Sequence, residues 1–507
     1  MPTTYEVRPA IGVARVGTSK EFFVGPEPGL AAPTTYRDRT GALLRQAARF
    51  RVFACDRAAD GTLRSAIEVD PKAARIDWTV HVANRKGAGP EFPPRASRPA
   101  GPARLRNPGV GDRATLVVDP GSRTLSGPGQ VASFDGGTFL GAAVPLGEMR
   151  TDADGRLVVV GGFGTSGSVS ADGKAVPIRH FANNDRWHDD MSDGSVRATL
   201  TLHDGLTAVA SPAWVVTAPP DFAPGVTNFV TLYDVAFEAA VERGLRRVPD
   251  PPTFARHVRP ILERAIGYQW VLELGREGHG PGAAGDFTLQ WAVLADPAGD
   301  QGVRAQVFGM LKNPDGLASP PEFGAMPRLH DSNLLEQVLR PTRTQYAVLE
   351  RWAEGHFVND LDQPAPVDEL LPDALDRVAL EACSGGPFFP GIEAGHILAD
   401  GRRYTAAFRL DADALIPGQI TEGNAVPWQA DFLACTVDAQ SQLGWWPAQR
   451  PYQVLTDVGS DETQFWARSV TGYRGMVKQW HQLGILVPMV RADGSRAFVE
   501  SERRLPG

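Results

Sequence analysis

Cysteine is scarce in this chain: Cys55, Cys383 and Cys435 are the three in 507 residues. That is too few for a disulfide framework and suits a reducing compartment. Apolar runs are short, and none reaches the length that crosses a bilayer, so no membrane partner is expected. Basic blocks are missing too. With a formal net charge of −8 and no Lys/Arg-rich stretch, the chain argues against a nucleic-acid partner. Residues 1–7 carry no basic segment followed by an apolar run, so no signal peptide is read there and the expected location is cytoplasmic. Internal repeats and flexible linkers are absent as well.

Glycine (54) and proline (42) are abundant and spread along the chain, which favours many turns and ordered loops over a helical bundle. With 42% hydrophobic and 22% charged residues, the chain has an ordinary globular composition and can bury a large core. Short apolar runs of strand character fall at 50–54, 76–82, 114–118, 157–160, 199–202 and 213–217, and no long helix precedes them. Near residue 250 the pattern changes. Helical spacing is read over 254–266, with Pro260 as a kink, and again over 342–352, 372–382 and 472–483. The expected fold class is therefore α+β, with a β-rich region over 1–250 packed on a mixed helix-and-loop region over 251–507 as one compact unit.

Three stretches carry candidate chemistry. Residues 157–160 run into Gly162-Phe163-Gly164-Thr165-Ser166-Gly167, which matches G-x-G-x-x-G after a strand. The next residues, Ser168 to Lys174, are turn chemistry and not the helix a dinucleotide site requires, so the reading is a plain glycine-rich loop. Residues 180–197 hold His180, His188, Asp185, Asp189, Asp190 and Asp193, a set that could ligate a metal. A calcium loop counted from Asp190 would need glutamate where Thr201 stands, and no H-x-x-x-H spacing is present. An ordered loop is the simpler reading. A metal-dependent enzyme built on His180, His188 and Asp189 stays as a rival.

The third stretch is Val426-Pro427-Trp428-Gln429-Ala430-Asp431-Phe432-Leu433-Ala434-Cys435. On a helical turn Asp431 and Cys435 share one face. A thiol, a carboxylate and a tryptophan brought from elsewhere are the raw materials of a cofactor made from the protein's own side chains. Trp480 is the first candidate for that tryptophan, although pattern alone places it on the core face of its helix. Cys383 runs into a constrained apolar loop with Phe388 and Phe389, read as a wall of a substrate pocket. Arg8 and Arg15 could serve a loop-lined cleft or form salt bridges on a strand edge.

Several of these stretches together resemble one family. Arg8-Pro9-Ala10-Ile11-Gly12-Val13-Ala14-Arg15-Val16-Gly17, Phe22 to Glu27, Asn84-Arg85-Lys86, Asp189 to Gly194, Phe389 to Glu393, Val426 to Phe432 and Trp445 to Pro451 resemble the LodA-like proteins, the lysine ε-oxidase and glycine oxidase family. The resemblance runs from about residue 5 to about residue 490. It implies a cysteine tryptophylquinone, in which a cysteine sulfur is joined to an oxidised tryptophan ring, and an aspartate four residues before that cysteine. Asp431 and Cys435 match this spacing, whereas Cys383 has Ala379 at the corresponding place. Trp480 resembles the family's quinone position, with Trp446 or Trp445 as the alternative.

The implied activity is oxidative deamination of a primary amine or amino acid, free or peptide-borne, with dioxygen, releasing ammonia and hydrogen peroxide. In that reaction Asp431 would be the base and His481 would orient substrate or cofactor. The resemblance also implies a flavoprotein that matures the quinone. Many members are oligomers, and no feature here fixes a state. A member whose quinone never forms, acting in binding or in another reaction, is the rival within the family.

Overall fold

The computed structural model describes residues 3–58, 63–92, 104–316, 325–327, 339–363, 371–386, 395–438 and 447–507, with backbone alone for 395–396 and 434–438. Every strand of its main sheet lies before residue 219. The sheet has thirteen strands, nine of them in the order Arg123–Ser126, Ala74–Ala83, Ser192–Leu202, Ala213–Ala218, Ile11–Arg15, Arg45–Arg57, Leu157–Val160, Glu148–Thr151 and Val131–Ser133. The two end strands follow one another in the chain and approach each other, so the sheet curls nearly closed. Pairing is antiparallel except for Ala213–Ala218 with Ile11–Arg15 and Phe22–Val24 with Arg45–Arg57.

Period-two alternation assigns the two faces of this sheet. Ala14, Ala48, Phe50, Val80, Val196 and Val215 point into the curled interior. Ile11, Val13, Trp214 and Val216 point outward and are covered by Leu232, Ala236, Leu380 and Leu398 from the helical half. The strand Ile11–Arg15 is thus buried on both faces. Gly12 is needed there, because a Cβ at that position would lie 2.4 Å from the Phe50 ring.

The helices begin at Leu232. Thr231 and Asp234 form a capping box at the start of Leu232–Glu242, and Thr342 and Gln345 do the same for Arg343–Ala353. The Leu371–Glu381 helix packs on the Ile11–Arg15 strand. A four-stranded sheet closes the chain, in the order Thr463–Phe465, Gln453–Leu455, Arg496–Ser501 and Ile485–Val490. Among the described residues no helix is long and apolar enough to cross a membrane. The fold is α+β.

Local differences from the sequence reading have physical causes. Residues 114–118 do not form a strand. The Asp112 carboxylate accepts the Ala114 amide and starts a 3-10 turn, Arg113–Leu116. Pro260 has no N–H to continue a ladder, so Phe254–Val258 is wound as a π turn and the α-helix starts afresh at Arg259. The 472–483 helix is α-helical only over Gly472–Gln479 and tightens to a 3-10 turn at Trp480–Gln482. The Leu232–Glu242 helix was missed by apolar spacing, although its Thr-x-x-Asp start is a capping signature.

Candidate active site

The helix Trp428–Asp438 packs against the helix Gly472–Gln479, which ends at Trp480. This contact brings two segments of the C-terminal half together at one buried place. Trp480 is 2% exposed, and its ring meets Trp428 edge to face at 5.1 Å between centroids. Trp428 in turn meets Phe432 at 4.9 Å. On another side lies the glycine-rich loop. Gly164 has φ +70°, and a Cβ there would sit 2.2 Å from Cζ2 of Trp480, so only glycine lets the backbone come this close.

Asp431 lies in the first turn of its helix, where a negative charge is favoured by the unpaired amides. Its side chain is buried and sits 3.3 Å from Nη1 of Arg450, which also donates to the Asp431 carbonyl at 2.7 Å. Arg450 is itself fully buried and supplies the counter-charge that a carboxylate at this depth needs. Its guanidinium also stands over the Phe432 ring at 5.2 Å. Cys435 follows Asp431 by one helical turn in the same helix. Its side chain lies outside the described residues, as do Trp445, Trp446, Phe388 and Phe389.

His481 adjoins Trp480 and is half-buried, with ring centroids 5.6 Å apart. Burial, helped by Arg37 and Arg504, pushes its imidazole below the ordinary value and favours the neutral ring. Arg37 donates to the His481 and Leu483 carbonyls and so holds this turn to the N-terminal half.

Two adjacent aspartates support the site from the β side. Asp189 Oδ2 accepts the Trp428 amide at 3.2 Å, the first of the helix, and pairs with the Lys86 ammonium at 2.9 Å. Lys86 also donates to the Ala425 carbonyl, and burial pushes its ammonium down despite the partner. Asp190 Oδ2 accepts the amide and hydroxyl of Thr165 at 3.0 and 3.2 Å. Burial, reinforced by Asp189, pushes the Asp190 carboxyl up to about 7. Gln429 completes the clamp. It donates to the Gly164 carbonyl at 3.0 Å and accepts from Ser166 Oγ at 2.8 Å.

His180, His188 and Asp189 are not assembled as a metal set. His180 Nδ1 accepts the amides of Ala182 and Asn183, and Asp189 is engaged by Lys86, Asn84 and Trp428. Among the described residues no group of three or more His, Cys, Asp or Glu is placed to hold a metal ion. A cleft elsewhere is lined by Arg15, Phe23, Tyr36, Asp221, Ala382 and Ile485. Cys383 sits behind its Ala382 wall, with Sγ donating to the Ala379 carbonyl and Arg15 Nη2 at 3.6 Å. Arg8 does not reach a cleft: it is buried in ion pairs with Glu6 and Asp376.

Trp428, Gln429, Lys86, Arg450, Asp190 and Gly164 all stand in stretches the sequence reading quoted, but none of them was placed around Trp480. For the last two a signal existed, the glycine-rich run and the paired aspartates, but no spacing ties either to Trp480.

The chain matches the L-lysine epsilon oxidase N-terminal model over residues 8–217 and the C-terminal domain model over residues 320–466, together more than half its length. It is 26% identical to L-lysine 6-oxidase of Marinomonas mediterranea, over 98% of this chain and 89% of that protein. Crystal structures of L-Lys epsilon-oxidase from the same organism share the fold, one of them described as its Schiff base intermediate with L-Lys. Each has a TM-score of 0.79 and 24% identity, covering 99% of this chain and 95% of the other. The protein is therefore an enzyme of the oxidase class. It belongs to the L-lysine epsilon oxidase family, LodA.

Proposed function

We propose that this protein oxidatively deaminates a small primary amine or amino acid, using a cysteine tryptophylquinone formed from Cys435 and Trp480. The carrying observation is the buried Trp480 ring packed against the helix that bears Asp431 and Cys435. The residues present fit such a group. The ring edge at Cζ2 and Cη2 meets a backbone cradle kept open by Gly164, and a buried carboxylate stands on the neighbouring helix. When formed, the quinone supplies an electrophilic carbonyl for the amine and a sink for two electrons. The overall reaction balances as amine, dioxygen and water giving aldehyde or oxo acid, ammonia and hydrogen peroxide.

The chain's own groups divide the work. Asp431 takes the proton from the carbon bearing the nitrogen, and Arg450 keeps that carboxylate oriented. Neutral His481 can accept or donate one hydrogen bond beside the ring without adding charge. Trp428, backed by Phe432, and the glycine loop wall the ring from water. A flavoprotein partner matures the quinone, and the mature enzyme acts in the cytoplasm.

Coexpression with that partner, followed by intact mass and visible absorption, tests the reading. A mass gain of oxygen with loss of hydrogen and a visible chromophore are expected, with peroxide released on amine addition. An unmodified mass under those conditions would refute it.

A further inference from the structure

The loop at 161–167 walls the Trp480 ring on one side and rests on a buried acid on the other. Gly164 touches the ring edge. Two residues earlier, a Cβ on Gly162 would fall 2.4 Å from Asp190 Oδ2, so the turn rests on this carboxyl as closely as on the indole. Thr165 closes the turn by giving both its amide and its hydroxyl to the same oxygen. The other oxygen, Asp190 Oδ1, is buried and has no hydrogen-bond partner among the described residues. Asp190 as a whole is 1% exposed. A buried acid left with an unserved oxygen binds a proton more readily than an exposed one.

We propose that Asp190 is a positioning residue for Trp480, acting through the 162–165 turn, and that gain or loss of its proton changes how the turn bears on the ring. The proposal rests on Trp480 as the reactive ring. The charged and titratable groups around Asp190 are few. Asp189 precedes it and is held by Lys86, which also feels the Asp190 charge. Arg45 donates to the Gly161 carbonyl at the start of the turn and stands over the Phe163 ring. His188 lies across the short ladder from Gly167, and burial keeps its imidazole below the ordinary value. None of these places a counter-charge on Asp190 Oδ1. Burial and Asp189 both raise the carboxyl, to about 7. Above that pH the carboxylate pulls on its two Thr165 donors and repels Asp189. Below it, a neutral carboxyl accepts the same two bonds without charge.

The test uses full-length protein coexpressed with the flavoprotein partner, in wild-type, Asp190→Asn and Thr165→Val forms. Asparagine keeps an acceptor for Thr165 and cannot ionise. The wild type is expected to show a transition near neutral pH in kcat and in the quinone absorption maximum, and Asp190→Asn to lose it. Thr165→Val removes a bond that favours the ionised form from an exposed side chain, so the midpoint should move upward. Hydrogen exchange of the 161–167 amides in unmatured protein should show the same transition in the wild type, lose it in Asp190→Asn and shift it upward in Thr165→Val. That last measurement separates the two readings, because it needs no quinone. Exchange and midpoint unchanged in both variants would overturn the role of Asp190, whether or not the quinone forms.

Discussion

Replacing Lys86 by methionine exposes how far the Asp431 helix depends on one buried charge pair. Lys86 is 1% and Asp189 0% exposed, and the ammonium bonds both the carboxylate, at 2.9 Å, and the Ala425 carbonyl, at 3.0 Å. Methionine fills the stem's volume and removes the charge. Asp189 would keep the donors Asn84 Nδ2, at 3.0 Å, and the Trp428 amide, at 3.2 Å, but would lose its ion-pair partner and keep the longer-range attraction of the buried Arg106. Breaking a pair buried to this degree costs about 3–5 kcal/mol. Urea unfolding measures that loss as a drop in the transition midpoint at unchanged slope. Asp189→Asn in the same background restores neutrality while still accepting the Trp428 amide. The double variant should therefore recover part of the loss, with a coupling of roughly 1–3 kcal/mol. The reasoning fails if Lys86→Met costs under about 1 kcal/mol, or if the two losses simply add.

Gly164→Ala should destabilise by about 2–4 kcal/mol, combining a positive φ with overpacking against Trp480, and thermal unfolding reads it. No change there would mean that turn and ring are not in contact. Asp431→Asn, an isosteric change that keeps the Arg450 bond to its carbonyl, should leave circular dichroism unchanged and lower amine oxidation by at least about 100-fold. Asp190 also predicts a pH trend in stability. Its folded value of about 7 exceeds the ordinary carboxyl value of 3.8, so the folded state holds a proton that the unfolded state has lost. Stability should fall as pH rises from about 4 to about 7, by up to roughly 4 kcal/mol, and then level off. Asp190→Asn should remove that slope in chemical denaturation across the same range.

Much of the secondary structure was legible because it is written at short range. Apolar spacing located the helix at 342–352, observed as Arg343–Ala353, and the one at 372–382, observed as Leu371–Glu381. The continuous apolar run at Leu157–Val160 is a strand, as read. The failures are short-range competitions that periodicity does not register, such as the Asp112 side chain capturing an amide that a strand would have used. Strand order was out of reach. The parallel pairing of Ile11–Arg15 with Ala213–Ala218 joins residues two hundred positions apart and depends on both faces of each strand finding apolar cover.

The same division runs through the site. The sequence by itself determined the spacing of four between Asp431 and Cys435, which becomes one turn only if the stretch is helical, and the structure places both on the helix Trp428–Asp438. It also determined that Trp480 sits on a buried face, since Met476, Trp480 and Leu483 repeat at helical spacing. Only the tertiary structure decided what surrounds them. Arg450 reaches Asp431 from outside its helix, Lys86 and Asp189 come from the β region to start the Trp428 helix, and Gly164 arrives from a strand end to meet the Trp480 ring. Those contacts are made by burial and by the demand that each buried polar group find a partner, and neither leaves a periodic trace along the chain.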